Sequence, residues 1–148
     1  MAFSYNATCT FDSNTFDAVE IMVELETTPD RNGMPTMGSF ASKVRVVVDP
    51  SDTQNMPYST ISALFTDANL VTNDKVKQVK LEFWQDSSKQ NALCSYSFPG
   101  WISGFQTVNP AGSMSDVTSQ GQVLNNMLVI DIQPQLNTAN QPNFTFSN

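Results

Sequence analysis

Two strand-like segments that flank a long polar loop constrain the fold of this chain more than any other feature. In residues 19–26 apolar side chains alternate with mostly acidic ones, and in residues 43–49 valines alternate with mostly charged ones. Period-two alternation is typical of strands that bury one face. The connection contains Asp30-Arg31-Asn32-Gly33-Met34-Pro35 and exceeds the about two to five residues of an ordinary hairpin loop. The pattern predicts a hairpin that holds out an arm, and such loops commonly carry function.

The charge pattern and the apolar pattern of this hairpin agree on one antiparallel register. Pairing the strands about the loop places Glu24 opposite Lys43 and Met22 opposite Arg45 on the outer surface, with the valines inside. A cross-strand pair of opposite charges stabilises a ladder by roughly 0.2–1 kcal/mol. Because the charge pattern and the apolar pattern select the same pairing, we predict this register for the hairpin.

Further strand patterns recur along the chain, at residues 5–11, 76–84, 92–98, 101–108, 127–133 and 144–146. Pro99-Gly100 is expected to end one of these strands before the next begins. Helical spacing of apolar residues occurs once, at Ile61, Leu64, Phe65 and Ala68. Asn55 and Pro57 precede this stripe where an N-cap and a first-turn proline belong.

Together these segments predict a mainly β protein with a single domain over residues 1–148. We expect a closed or nearly closed antiparallel β-barrel or sandwich of about seven or eight strands. One α-helix at about residues 57–68 and extended loops, including a polar stretch at 109–122, complete the prediction.

Charge is scarce and acidic in this chain. The formal net charge is −7, and charged residues make up 14% of the sequence, against about 25% in typical soluble domains. Ser, Thr, Asn and Gln account for 54 of the 148 residues. The composition fits either an uncharged polar surface or a surface largely covered by other copies of the chain. The absence of a basic stripe argues against nucleic acid as a partner.

The sequence offers little equipment for catalysis. It contains no histidine, which removes the commonest general base and metal ligand. Cys9 and Cys94 form no metal or redox motif and are expected to be free, buried thiols. We therefore predict no catalytic, cofactor-binding or metal residues and no enzymatic role. Trp84 falls on the polar face of its strand, where either a covering layer or an interface would explain it.

No signal peptide and no membrane span are apparent. The first residues lack a basic region followed by an apolar one, and no apolar run approaches about 18 residues. We expect synthesis and folding in the cytosol and no membrane partner.

Four motifs follow one another along the chain. The start Met1-Ala2-Phe3 runs straight into a strand, and Glu26-Thr27-Thr28 precedes the Asp-x-x-Gly-x-Pro arm. A strand that leads to a charged turn follows in Val79-Lys80-Leu81-Glu82-Phe83-Trp84-Gln85-Asp86, and a later strand contains Ile102-Ser103-Gly104-Phe105-Gln106. In this order, the motifs resemble the Hcp family, the inner-tube subunits of type VI secretion systems, and its short TssD-type members most closely.

This resemblance implies hexameric rings that stack into a tube and carry or chaperone effector proteins in the lumen. It implies sheath, spike and baseplate proteins as further partners, and export through the injection apparatus without a signal peptide. The arm at residues 27–39 would reach the neighbouring ring. The candidate contact residues are Thr28, Pro29, Asp30, Arg31, Asn32, Gly33, Met34, Pro35 and Thr36.

Two other functions fit the same sequence. A tail-tube protein of a phage or an extracellular contractile injection system shares the physics of self-assembly. A monomeric β-sandwich that binds a small ligand would instead use Trp84, Trp101 and the loops as a site.

The predicted register makes a testable statement about Lys43. Because an exposed ion pair contributes little, Lys43→Glu should lower the free energy of unfolding by about 1 kcal/mol or less, measured by denaturant titration. A much larger loss would place Lys43 in the core or in an interface.

Overall fold

The computed structural model describes residues 5–34, 41–69, 72–109, 126–135 and 145–147. Its strands are β1 (Ala7–Phe11), β2 (Asn14–Ala18), β3 (Glu20–Glu26), β4 (Ala41–Val48), β5 (Lys77–Trp84), β6 (Ala92–Val108), β7 (Met127–Pro134) and β8 (Thr145–Ser147). One α-helix, α1 (Tyr58–Ala68), and one 3-10 turn (Asn73–Lys75) complete these described parts of the chain. The predicted mainly β fold with eight strands and one helix is confirmed.

The strands form one antiparallel sheet in the order β2-β1-β5-β6-β7-β4-β3, and β8 also pairs with β6. The two ends of this order, β2 and β3, are consecutive in the chain and are separated only by Val19. The Val19 N–H donates to the carbonyl of Val47, which is also the partner of Glu20 in the ladder. Two residues opposite one partner form a β-bulge, which bends a strand.

Residues 14–26 therefore act as one bent strand that pairs first with β1 and then with β4. The pairings that the structure describes include no ladder between β2 and β3, so the sheet curls round without closing into a barrel. Of the two predicted forms, the nearly closed one is present.

Strand β6 turns a second corner of the sheet. Its residues 92–100 pair with β5, whereas residues 100–108 pair with β7. The prediction that Pro99-Gly100 ends this strand is wrong. Pro99 lies where the partner changes, so its missing N–H interrupts little, and its carbonyl accepts a hydrogen bond from Gln135 at 2.8 Å.

The first hairpin has the predicted register. Glu24 lies opposite Lys43, and Met22 lies opposite Arg45. The structure adds a contact that sequence reasoning missed, because Arg45 Nε donates to Asp131 on β7 at 2.9 Å. Arg45 thus lies between Met22 of β3 and Asp131 of β7, in a row that crosses three strands.

One apolar core fills the inside of the curled sheet. The predicted inward faces of β5 and β7 are buried at Val79, Leu81, Leu128, Ile130 and Ile132. Both cysteines are free, as predicted, although Cys94 is only half-buried whereas Cys9 is fully buried.

Helix α1 covers part of the core with the predicted stripe. Leu64 is buried, and Ile61 and Ala68 pack against the core. Phe65 is 52% exposed, and its ring meets Phe105 of β6 edge-on at 5.5 Å. The predicted N-cap is wrong: Pro57 occupies the cap position without a side-chain hydrogen bond.

Gly100 is the tightest point of the β6 corner and yields a prediction. A Cβ at this position would lie 2.8 Å from the backbone oxygen of Gln133, which cannot move without disturbing β7. Gly100→Ala should lower the free energy of unfolding by about 1–3 kcal/mol in a denaturant titration. Thr107→Ala, an exposed site on the same strand, is the control. Equal stability of the two variants would contradict this explanation.

Candidate functional site

The arm leaves the sheet at the end of β3 and is exposed along all of its described length, residues 27–34. Seven of the predicted contact residues lie there: Thr28, Pro29, Asp30, Arg31, Asn32, Gly33 and Met34. Pro35 and Thr36 lie outside the described residues. Their proposed role as contact residues stays a prediction.

A compact turn organises the arm tip, which we define as residues 30–34. The carboxylate of Asp30 accepts hydrogen bonds from the backbone N–H groups of Asn32 at 2.8 Å and Met34 at 2.9 Å. The Gly33 N–H donates to the Asp30 carbonyl, and the Asp30 N–H donates to the Met34 carbonyl. Gly33 has a φ of +79°, which glycine adopts without strain. The tip is therefore a preformed loop.

All five residues of the tip are exposed. Met34 contributes an apolar side chain that is 62% exposed. Arg31 contributes a positive charge, and no ion pair to it occurs within the described residues. The tip thus presents one apolar group and one positive charge, together with the Asp30 carboxylate that its own backbone amides contact.

A surface depression of about 350 Å³ lies at the opposite end of β3. Its wall is mostly apolar and consists of Asn6, Ala7, Val19, Glu20, Ile21, Phe83, Trp84 and Leu93. Leu93 is 58% exposed, because a register shift in the β5–β6 ladder leaves it without a partner on β5. Glu20 is exposed at the same place and carries the negative charge of the wall.

Hydrogen bonds fix the position of Trp84 in this wall. Its indole Nε1–H donates to Thr8 Oγ1 at 3.0 Å, and the Thr8 hydroxyl donates to the carboxylate of Asp17 at 2.8 Å. Asp17 also forms an ion pair with Lys89 in the turn after β5. Trp84 is half-buried, so the polar face of its strand is partly covered by its neighbours on β1 and in this turn.

A side-chain amide covers the outer edge of β2. The Asn55 side chain accepts a hydrogen bond from the Asp17 N–H at 2.7 Å and donates one to the Asp17 carbonyl at 2.7 Å. This amide occupies the backbone groups that another strand would use, so it protects the edge. Asn55 therefore protects the edge of β2 and does not cap the helix as predicted.

Candidate metal ligands are not clustered in the described parts of the chain. No group of three or more cysteine, aspartate or glutamate side chains is placed to hold a metal ion in these parts of the chain. Burial raises the pKa of the Cys9 thiol to about 12, which keeps it protonated at neutral pH. Within the same described parts, the one helix is too short to cross a bilayer.

No protein-family model matches this chain, and no curated protein matches its sequence. Its structure is similar to that of Hcp1 from Flavobacterium johnsoniae, with a TM-score of 0.62. The chain has an Hcp-like fold. The superposition covers 96% of this chain and 94% of the Flavobacterium protein, so the architecture is shared although only 9% of the aligned residues are identical.

The Hcp-like fold predicted from the order of motifs is thereby confirmed. The depression was not predicted, since its wall combines residues from β1, β3, β5, β6 and the residues next to them. Two residues of the wall stand out in the sequence, namely Trp84 on a polar strand face and Leu93 beside the turn at residues 85–91. No local sequence pattern indicates that either of them lies close to Glu20.

The turn at the arm tip gives a local prediction. Asp30→Ala removes the acceptor of two backbone N–H groups, so the amides of Asn32 and Met34 should exchange hydrogen faster. The midpoint of global unfolding should change by little, because the arm is exposed. Asp30→Asn, which keeps one acceptor oxygen, is the control and should lose less protection. A drop in global stability would mean that the tip supports the core.

Proposed function

We propose that this protein is a structural subunit of a type VI secretion tube. Subunits would associate side by side into hexameric rings, and rings would stack head to tail around a lumen. The observation that carries this proposal is the similarity to Hcp1 over nearly the whole length of both chains. The match extends over nearly all of the fold, and the side-by-side packing of subunits is part of our proposal.

The form of the arm also supports assembly. Ring stacking needs a heterologous contact, in which one patch of a subunit meets a different patch of the next. An exposed loop with a preformed tip loses little conformational freedom when it binds, which favours contact residues of this kind. The arm at the end of β3 supplies one such patch.

A passive role agrees with the chemistry of the described surface. Hydroxyls and amides form part of the outward-facing surface of β5, β6 and β8, where they make the Gln78–Ser97 and Ser95–Ser147 hydrogen bonds. Such a surface offers few strong contacts to a passing protein. We propose no enzymatic activity, effector proteins as cargo in the lumen, and sheath, spike and baseplate proteins as outer partners. Assembly in the cytoplasm and export through the apparatus belong to the same proposal.

The first experiment is to determine the state of the purified protein. Size-exclusion chromatography with light scattering should give a mass of about six chains, and negative-stain microscopy should show rings. A species that stays monomeric at high concentration, without rings, would overturn the tube proposal. It would favour a monomeric β-sandwich that binds a ligand.

Deletion of residues 30–36 tests the arm. The circular dichroism spectrum and the ring mass should stay unchanged, whereas the stacked fraction in sedimentation velocity should fall by about tenfold or more. The full-length chain at the same concentration is the reference, and the Lys43→Glu variant is a control for a charge change beside the arm. Unfolding of the deletion variant would instead identify the arm as a packing element.

A further inference from the structure

The arm tip and the depression lie at opposite ends of one strand. The depression includes Glu20 and Ile21 at the start of β3, and the arm follows Glu26 at its end. Strand β3 has seven residues and therefore spans roughly 20 Å at about 3.3 Å per residue. Copies that stack along the direction of this strand bring the tip of one copy towards the depression of the next.

The two surfaces also match in polarity. The tip presents the exposed thioether side chain of Met34, and the depression presents the apolar groups of Ile21, Trp84 and Leu93. Methionine is unbranched and polarisable, so it fits irregular apolar recesses and packs well against aromatic rings. Burying Met34 and Leu93 together removes two exposed apolar side chains from water.

The charges beside these apolar groups are complementary. Arg31 lies three residues before Met34 in the tip, and Glu20 lies next to Ile21 in the depression. Both side chains are exposed, and no ion pair to either occurs within the described residues. On a chain with a net charge of −7, copies repel one another. The Asp30 carboxylate of the tip already accepts hydrogen bonds from two backbone amides, so contact between Arg31 and Glu20 favours this relative orientation over others.

We propose that the arm tip of one copy docks in the β3 depression of the next copy, with Met34 in the apolar recess and Arg31 paired with Glu20. This contact deepens the proposed tube function and rests on it, because it needs two stacked copies. It is heterologous and open, so it repeats from copy to copy without closing. The partner is therefore a second copy of this chain.

Charge reversal tests the pairing directly. Arg31→Glu and Glu20→Arg should each reduce the stacked fraction in sedimentation velocity by about fivefold or more, since each places like charges together. The double variant should recover most of the stacking. If the double variant does not recover stacking, the two charges act independently and the proposed Arg31–Glu20 pair is overturned.

Matched methionine variants test the apolar part. Met34→Gln should reduce stacking, whereas Met22→Gln should not. Met22 is also exposed, at 39%, but lies on the outer face of β3 away from the tip. Leu93→Gln should reduce stacking as Met34→Gln does. Equal effects of the Met22 and Met34 variants would overturn the assignment of Met34.

The outcomes separate this contact from the proposed function. Rings that stack normally in every variant would overturn the docking contact and leave the tube proposal standing. A wild-type protein that forms neither rings nor stacks would overturn both. Variant rings with the wild-type mass and spectrum, combined with lost stacking that the charge swap restores, would support both.

Discussion

The structure depends on two strands that change partners along their length. Residues 14–26 leave β1 for β4 at the bulge of Val19, and β6 leaves β5 for β7 at Gly100. These corners allow a single antiparallel sheet to curl around one core. They also explain why Gly100 carries no side chain, because a Cβ there would lie 2.8 Å from the backbone oxygen of Gln133.

The same corners create the surfaces that we assign to assembly. The bend at Val19 turns β3 away from β1 and leaves the depression between them, while β3 and β4 continue beyond the core to carry the arm. Where the edge of β2 could recruit another strand, Asn55 occupies it. In the assembly that we propose, contacts form at the two ends of β3, while Asn55 protects the edge of β2 from pairing with another strand.

Sequence reasoning succeeded where a pattern repeats locally. Alternation in the first hairpin gave the pairing of Glu24 with Lys43, because polarity and charge both depend on which face a residue occupies. It failed at Pro99 and Asn55, where a local rule competes with a distant neighbour. Proline ends most strands, and asparagine often caps helices, but Pro99 lies at a partner change and Asn55 meets Asp17. No local window contains those partners.

By itself, the sequence determined the helix, most of the strand segments apart from the continuous β6, the register of the first hairpin and the absence of histidine chemistry. These properties depend on residue type and spacing over a few positions. Only the tertiary structure decided the order of strands, the Arg45–Asp131 contact and the depression. Each of these brings together residues far apart in the chain, and packing of the whole core selects which distant segments meet. The arm was visible in the sequence, whereas the surface that we propose it binds required the fold.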